Sequence, residues 1–103
     1  MSKIIIKLSP ANLRMSLIGI DHDDIALANF VRVSLNLWKA TKGFHVYYGG
    51  SNAAEEAYDL TNNPSRQEER EERYGLGRSV SIGDVVEVDG LNFLCAHTGW
   101  VEL

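Results

Sequence analysis

Cys95 and His97 stand two residues apart, so on a strand both side chains leave the same face. A thiol beside an imidazole is the smallest unit of a nucleophilic dyad. Such an enzyme also needs an orienting carboxamide or carboxylate and oxyanion donors, and no motif supplies either. Cysteine is among the residue types most often buried, so Cys95 reads as core, no catalytic residue is assigned, and the chain is not expected to be an enzyme. Asp21-His22-Asp23-Asp24 carries ligand types that divalent cations take, yet it lacks the glycine and closing glutamate of a calcium loop. It reads as a polar loop that caps the next element. Gly75, Gly77 and Gly83 around Arg78-Ser79 share glycine content with phosphate loops, but the Lys-Ser pair and the strand-to-helix setting are missing. No metal or cofactor is expected.

Binding chemistry has more to draw on. Arg66 to Arg73 contains no apolar residue, so as a helix it must be solvated or face a partner. Pairs such as Arg66 with Glu69 and Glu69 with Arg73 support it at about 0.3 kcal/mol each. Arg66, Arg70, Arg73 and Tyr74 are residue types favoured where proteins dock, and with Tyr47 and Trp100 they form the candidate partner-binding set. An alternative is a nucleic-acid module that stacks bases on Trp38, Tyr47 and Tyr48 beside Lys39, Lys42 and Arg32.

The elements that must position these residues follow from hydrophobic period and punctuation. Lys3-Ile4-Ile5-Ile6-Lys7-Leu8 is a β-branched run stopped by Ser9-Pro10, a strand for the centre of a sheet. Ser9 and Pro10 then look like the cap and first residue of a short helix with Leu13 and Leu17 on one face, ended by Gly19. Between Asn29 and Lys39 two periods compete. Leu27, Val31, Leu35 and Trp38 suit a helix, while Val31, Val33, Leu35 and Leu37 alternate with polar residues, and the alternation predicts a strand. Phe44 to Tyr48 is its expected hairpin partner, across a turn at Thr41-Lys42-Gly43.

Asn52 with Glu55 suggests a capping box for a helix carrying Ala54, Ala57, Tyr58 and Leu60, broken at Asn62-Asn63-Pro64. A second helix starts near Pro64, with Ser65 and Glu68 in capping-box spacing, and ends at Gly75. The sharpest signal is Asp89-Gly90 between Val85-Val86-Glu87-Val88 and Leu91-Asn92-Phe93-Leu94-Cys95, a two-residue type I′ hairpin. Its register sets Val88 opposite Leu91 and Val86 opposite Phe93, so Val86, Val88, Leu91, Phe93 and Cys95 share a core face. Thr98-Gly99 turns Trp100 to Leu103 back as a third strand.

With 103 residues the chain suits one domain that buries about two-thirds of the surface its unfolded form exposes. Ten Lys and Arg against 14 Asp and Glu leave a net charge of −4, which disfavours the nucleic-acid alternative. No apolar run approaches the ~20 residues of a membrane span, and no signal segment is evident. A single cysteine fits a reducing, cytoplasmic setting.

Asn62-Asn63-Pro64, Arg66-Gln67-Glu68-Glu69-Arg70 and the stretch from Arg78 through His97-Thr98-Gly99-Trp100 resemble a group of small proteins carried by phages and plasmids. The C-terminal end is similar to the YodL-like domain. The matching positions are Arg78, Ser79, Val80, Ser81, Ile82, Asp84, Val85, Gly99 and Trp100, the last standing where related proteins often have Phe. The resemblance implies an α+β fold and a mobile-element origin and brings no catalytic residue. It raises the expectation of a non-catalytic accessory factor that binds a host or mobile-element protein.

The expected architecture is a single α+β domain over residues 1–103: an antiparallel or mixed sheet of about five or six strands, one or two helices between the hairpins on one face, and a C-terminal meander. A free edge at the last strand would also let two copies pair as a homodimer.

Overall fold

Ile4-Ile5-Ile6 nucleates the centre of the molecule. In the computed structural model, which describes residues 1–75 and 77–103, strand β1 (Ser2–Leu8) is hydrogen-bonded on both sides. On one side lies β4 (Val85–Val88), followed by β5 (Leu91–Ala96) and β6 (Gly99–Glu102), all antiparallel. On the other side lie β2 (Lys39–Ala40) and β3 (Phe44–Val46). Both short strands pair with β1, out of step by one residue: Lys7 faces Ala40 while Ile4 faces Phe44. Thr41 absorbs the extra residue, its amide and hydroxyl both donating to the Ile6 carbonyl. Position 43 is tight: a Cβ there would lie 3.0 Å from the Lys3 side chain and 3.3 Å from the Ile4 carbonyl.

The hairpin expected at Asp89-Gly90 forms with the register read from the sequence, Val88 facing Leu91 and Val86 facing Phe93. Asp89 at φ 49° and Gly90 at φ 90° supply the left-handed pair that a type I′ turn demands. Val86, Val88, Phe93 and Cys95 are buried together, whereas Leu91 at the hairpin tip stays 51% exposed.

Two expectations are corrected. Residues 29–37 are not a strand: helix α2 (Asp24–Ser34) and a 3-10 turn (Leu35–Leu37) occupy the segment, and Phe44–Val46 pairs with β1 instead. The helical period wins because Leu27, Ala28 and Val31 form one buried stripe, while Val33, which the alternation would hide, is 85% exposed. Asp23 caps the helix by accepting from the Ala26 amide.

The second correction concerns the layers. Helices cover both faces of the sheet, because β4 and β5 are apolar on both sides and each side must be shielded from water. Over one face α3 (Gly50–Asn62) lays Ala53, Ala54, Ala57 and Leu60 against Ile4, Ile6, Val86, Val88 and Phe93. On the opposite face α1 (Arg14–Ile18) and α2 contribute Leu17, Leu27, Ala28 and Val31, which pack with Trp38 on Val85, Leu94 and Ala96. The radius of gyration, 12.8 Å, equals the ~13 Å of a compact chain of this length.

Helix starts also differ in detail. Gly49, not Asn52, precedes α3, and Ser9 caps nothing: its amide donates to Asp84 and its hydroxyl accepts from Arg14 and Arg78. Asn63, not Ser65, caps the turn (Pro64–Arg66) that leads into α4 (Gln67–Arg73). Gly75 beyond α4 takes φ 97° and its amide bonds back to the Arg70 carbonyl.

Candidate functional site

The stretch Arg78 to Asp84 is a structural clamp. The Asp84 carboxylate, fully buried, accepts from the amides of Ser9 and Ser81 and from both terminal nitrogens of Arg78. That pairing holds the Arg78 guanidinium firmly protonated. Ser79 donates to the Thr61 carbonyl, and the Val80 amide to the Thr61 hydroxyl, so the loop ties the end of α3 to the start of β4. The serines and the aspartate satisfy buried backbone.

The proposed docking helix is fastened to the domain through Arg66, Arg70 and Tyr74. Arg66 bridges Glu56, Asp59 and Glu69, locking α4 onto α3. Arg70 donates to the carbonyls of Thr61 and Gly77 and lies 5.8 Å from the centre of the Tyr74 ring. Tyr74 is only 6% exposed and donates to the Arg78 carbonyl, and burial raises its phenol above the ordinary range. Three of the four side chains chosen on α4 therefore fasten the helix to the domain. A helix without apolar side chains of its own is held in this way by charged ones. Arg73 keeps one loose pair with Glu69 at 3.8 Å.

The aromatic platform is not assembled either. Trp38 is buried on the α2 side, its indole donating to the Gly83 carbonyl at 2.8 Å, while Tyr47 is 84% exposed beyond β3. The acidic run is likewise divided: Asp23 caps α2, and Asp24 accepts from the Thr98 hydroxyl and the His97 amide. Those donors, Thr98 first, hold the Asp24 carboxyl below the ordinary carboxylate range. Among the described residues no group of three His, Cys, Asp or Glu side chains converges as a metal site.

What the fold does assemble lies between α3 and the β5–β6 hairpin. A cleft of about 210 Å³ is floored by Ile82 and Cys95, with the chain at Ala96 and Gly99 at its edge, and walled by Tyr58, Trp100, Glu55 and His97. Register puts Cys95 opposite Trp100, on the α3 face of the sheet. The Trp100 indole donates to Glu55 Oε2 at 2.8 Å, fixing ring and carboxylate together. Burial first, then the charges of Asp84 and Glu55, push the Cys95 thiol up to about 12. A thiol so strongly held in its neutral form is a poor nucleophile, and among the described residues no hydrogen bond joins it to His97. Cys95 is floor, as its residue type suggested.

Beyond Glu55 the cleft opens into a groove along α3, bordered by Tyr48, Asn52, Glu56 and Asp59. Positions 52, 55, 56 and 59 are the solvent-facing stripe of a helix whose inner stripe is 53, 54, 57 and 60. Arg66 pairs with Glu56 and Asp59 as well as with Glu69, so this stripe stays net acidic. Among the described residues no cation pairs with Glu55. Sequence reading used Glu55 only as part of a cap and left Tyr58 as a periodic position; the signal was the stripe of acids outside an alanine-rich inner face. Of the residues chosen from sequence, Trp100 belongs to this site, with Tyr47 next to the Tyr48 that borders its groove.

No protein-family model, curated protein or solved structure matches this chain. Among the described residues, no helix is long and apolar enough to cross a membrane.

Proposed function

We propose that this chain is a small phage- or plasmid-derived accessory protein that acts by binding another protein without catalysis. The YodL-like pattern at its C-terminal end supports the origin. The binding reading rests on one observation: a cleft with two aromatic walls and a carboxylate, Glu55, that no cation of the described chain answers. A part-buried aromatic side chain held in place by a hydrogen bond, as Trp100 is, is what protein interfaces use as an anchor. The neutral thiol at the floor supports binding over chemistry.

Affinity capture tests the reading when the wild type is compared with Glu55→Lys, a change at an exposed position. A stoichiometric protein that survives nuclease and is lost from the Glu55→Lys capture is expected. Nucleic acid recovered in its place, and released as salt rises, would overturn it in favour of the stacking module.

A further inference from the structure

We infer that the cleft receives the cationic side chain of an extended basic segment of the partner, arginine in preference to lysine. The inference rests on the protein-binding reading and adds the chemistry of the ligand. Size is the first argument. At about 210 Å³ the cleft lies below the ~300–1,000 Å³ of pockets that enclose small molecules, which suits one side chain better than a cofactor.

The lining is the second argument, because it is graded. Ile82 and Cys95 offer an apolar floor for a methylene stem, and Tyr58, Trp100 and Glu55 stand above it. Long basic side chains have that same division, an apolar stem and a charged head. Trp100 occupies Glu55 Oε2, so Oε1 is open to a donor while the carboxylate stays oriented. A guanidinium can then meet Oε1 and lie against an aromatic face at once, which a lysine ammonium does less well.

Charge complementarity selects a basic partner over an acidic or neutral one. The groove continues from Glu55 past Glu56 and Asp59, and the whole chain carries −4. Glu56 and Asp59 share Arg66 with Glu69, so the stripe stays net negative, and among the described residues Glu55 is its carboxylate with no paired cation. His97 also lines the cleft.

The test uses the full chain labelled with ¹⁵N and three capped pentapeptides, Gly-Gly-X-Gly-Gly with X as Arg, Lys or Gln. The two indole N–H signals report separately, Trp100 in the cleft and Trp38 in the opposite core. The Arg peptide is expected to shift the Trp100 signal saturably and leave Trp38 unmoved, with Lys weaker and Gln without effect. Glu55→Gln keeps an acceptor for the Trp100 indole and deletes the charge, so it should weaken Arg-peptide binding about tenfold. Tyr58→Leu is a second variant, and an unchanged Trp38 signal certifies the fold of each. An equal response to Gln, no Trp100 shift with Arg, or undiminished binding by Glu55→Gln would overturn the inference. A spermidine arm that alone shifts Trp100 would also overturn it, since the ligand would not be a protein side chain. If the peptides fail while Glu55→Lys still loses a captured protein, protein binding stands and the cation-in-cleft inference falls.

Discussion

Asp84 and Cys95 show how burial assigns opposite roles to two reactive side chains. Asp84 has no exposure and stays tied to Arg78, Ser81 and Ser9, so removing it strands several donors at once. Asp84→Ala should cost about 3 kcal/mol in urea unfolding; a loss under about 1 kcal/mol would mean the clamp is not structural. Cys95 is held neutral by its surroundings. It should resist iodoacetamide at pH 8 and react once urea unfolds the chain, as mass spectrometry would record; ready alkylation of folded protein would reopen the nucleophile reading. The pH dependence has a definite sign. The folded thiol ionises at about 12 and the unfolded one at its ordinary 9.0, so above pH 9 the unfolded chain releases a proton that the fold retains. Stability contributed by Cys95 is complete below pH 9 and is lost as pH rises toward 12. The stability difference between wild type and Cys95→Ala should therefore shift against the wild type between pH 8 and pH 10.

At the scale of elements, α4 is held by charge where other helices are held by apolar area. None of its residues is buried, and Arg66 gathers three carboxylates from two helices. Arg66→Ala should speed hydrogen exchange across residues 67–73 and cost about 1–2 kcal/mol, with the effect shrinking in high salt because the pairs are partly solvated. Unchanged exchange would show that Arg70 and Tyr74 suffice to hold the helix. The same geometry explains why a double change of Arg70 and Arg73 to Glu is a poor probe of partner binding: Arg70 ties Thr61 to Gly77, and reversing its charge breaks the domain before it tests a surface.

At the scale of the molecule, one sheet serves two cores. Trp38 reports the α2 layer and Trp100 the α3 layer, and both layers lean on β4 and β5. Neither helix layer can leave without exposing strands the other needs, so the two tryptophans should report coincident urea transitions, followed by their separate indole signals. Leu27→Ala on one side and Leu60→Ala on the other, both fully buried, should each cost about 2–5 kcal/mol and move both reporters together. A transition confined to one tryptophan would show that the layers unfold independently.

Local chemistry was enough to determine the elements whose signals are carried by neighbours in the chain. Asp89-Gly90 with flanking alternation fixes a hairpin and its register within ten residues, Ile4-Ile5-Ile6 demands a central strand, and Pro64 and Gly75 punctuate α4. Tertiary structure alone decided the segment from Leu27 to Trp38. Its residues satisfy two periods equally, and the choice turned on whether the far side of β4 and β5 needed a cover. It likewise decided the fate of the arginines, which satisfied partners up to ten residues away or joined a carboxylate buried by other elements. The candidate site was only partly legible for the same reason. Trp100 stood out by type, but Glu55 and Tyr58 become meaningful when α3 is laid against the β5–β6 hairpin, a contact between residues about 40 positions apart.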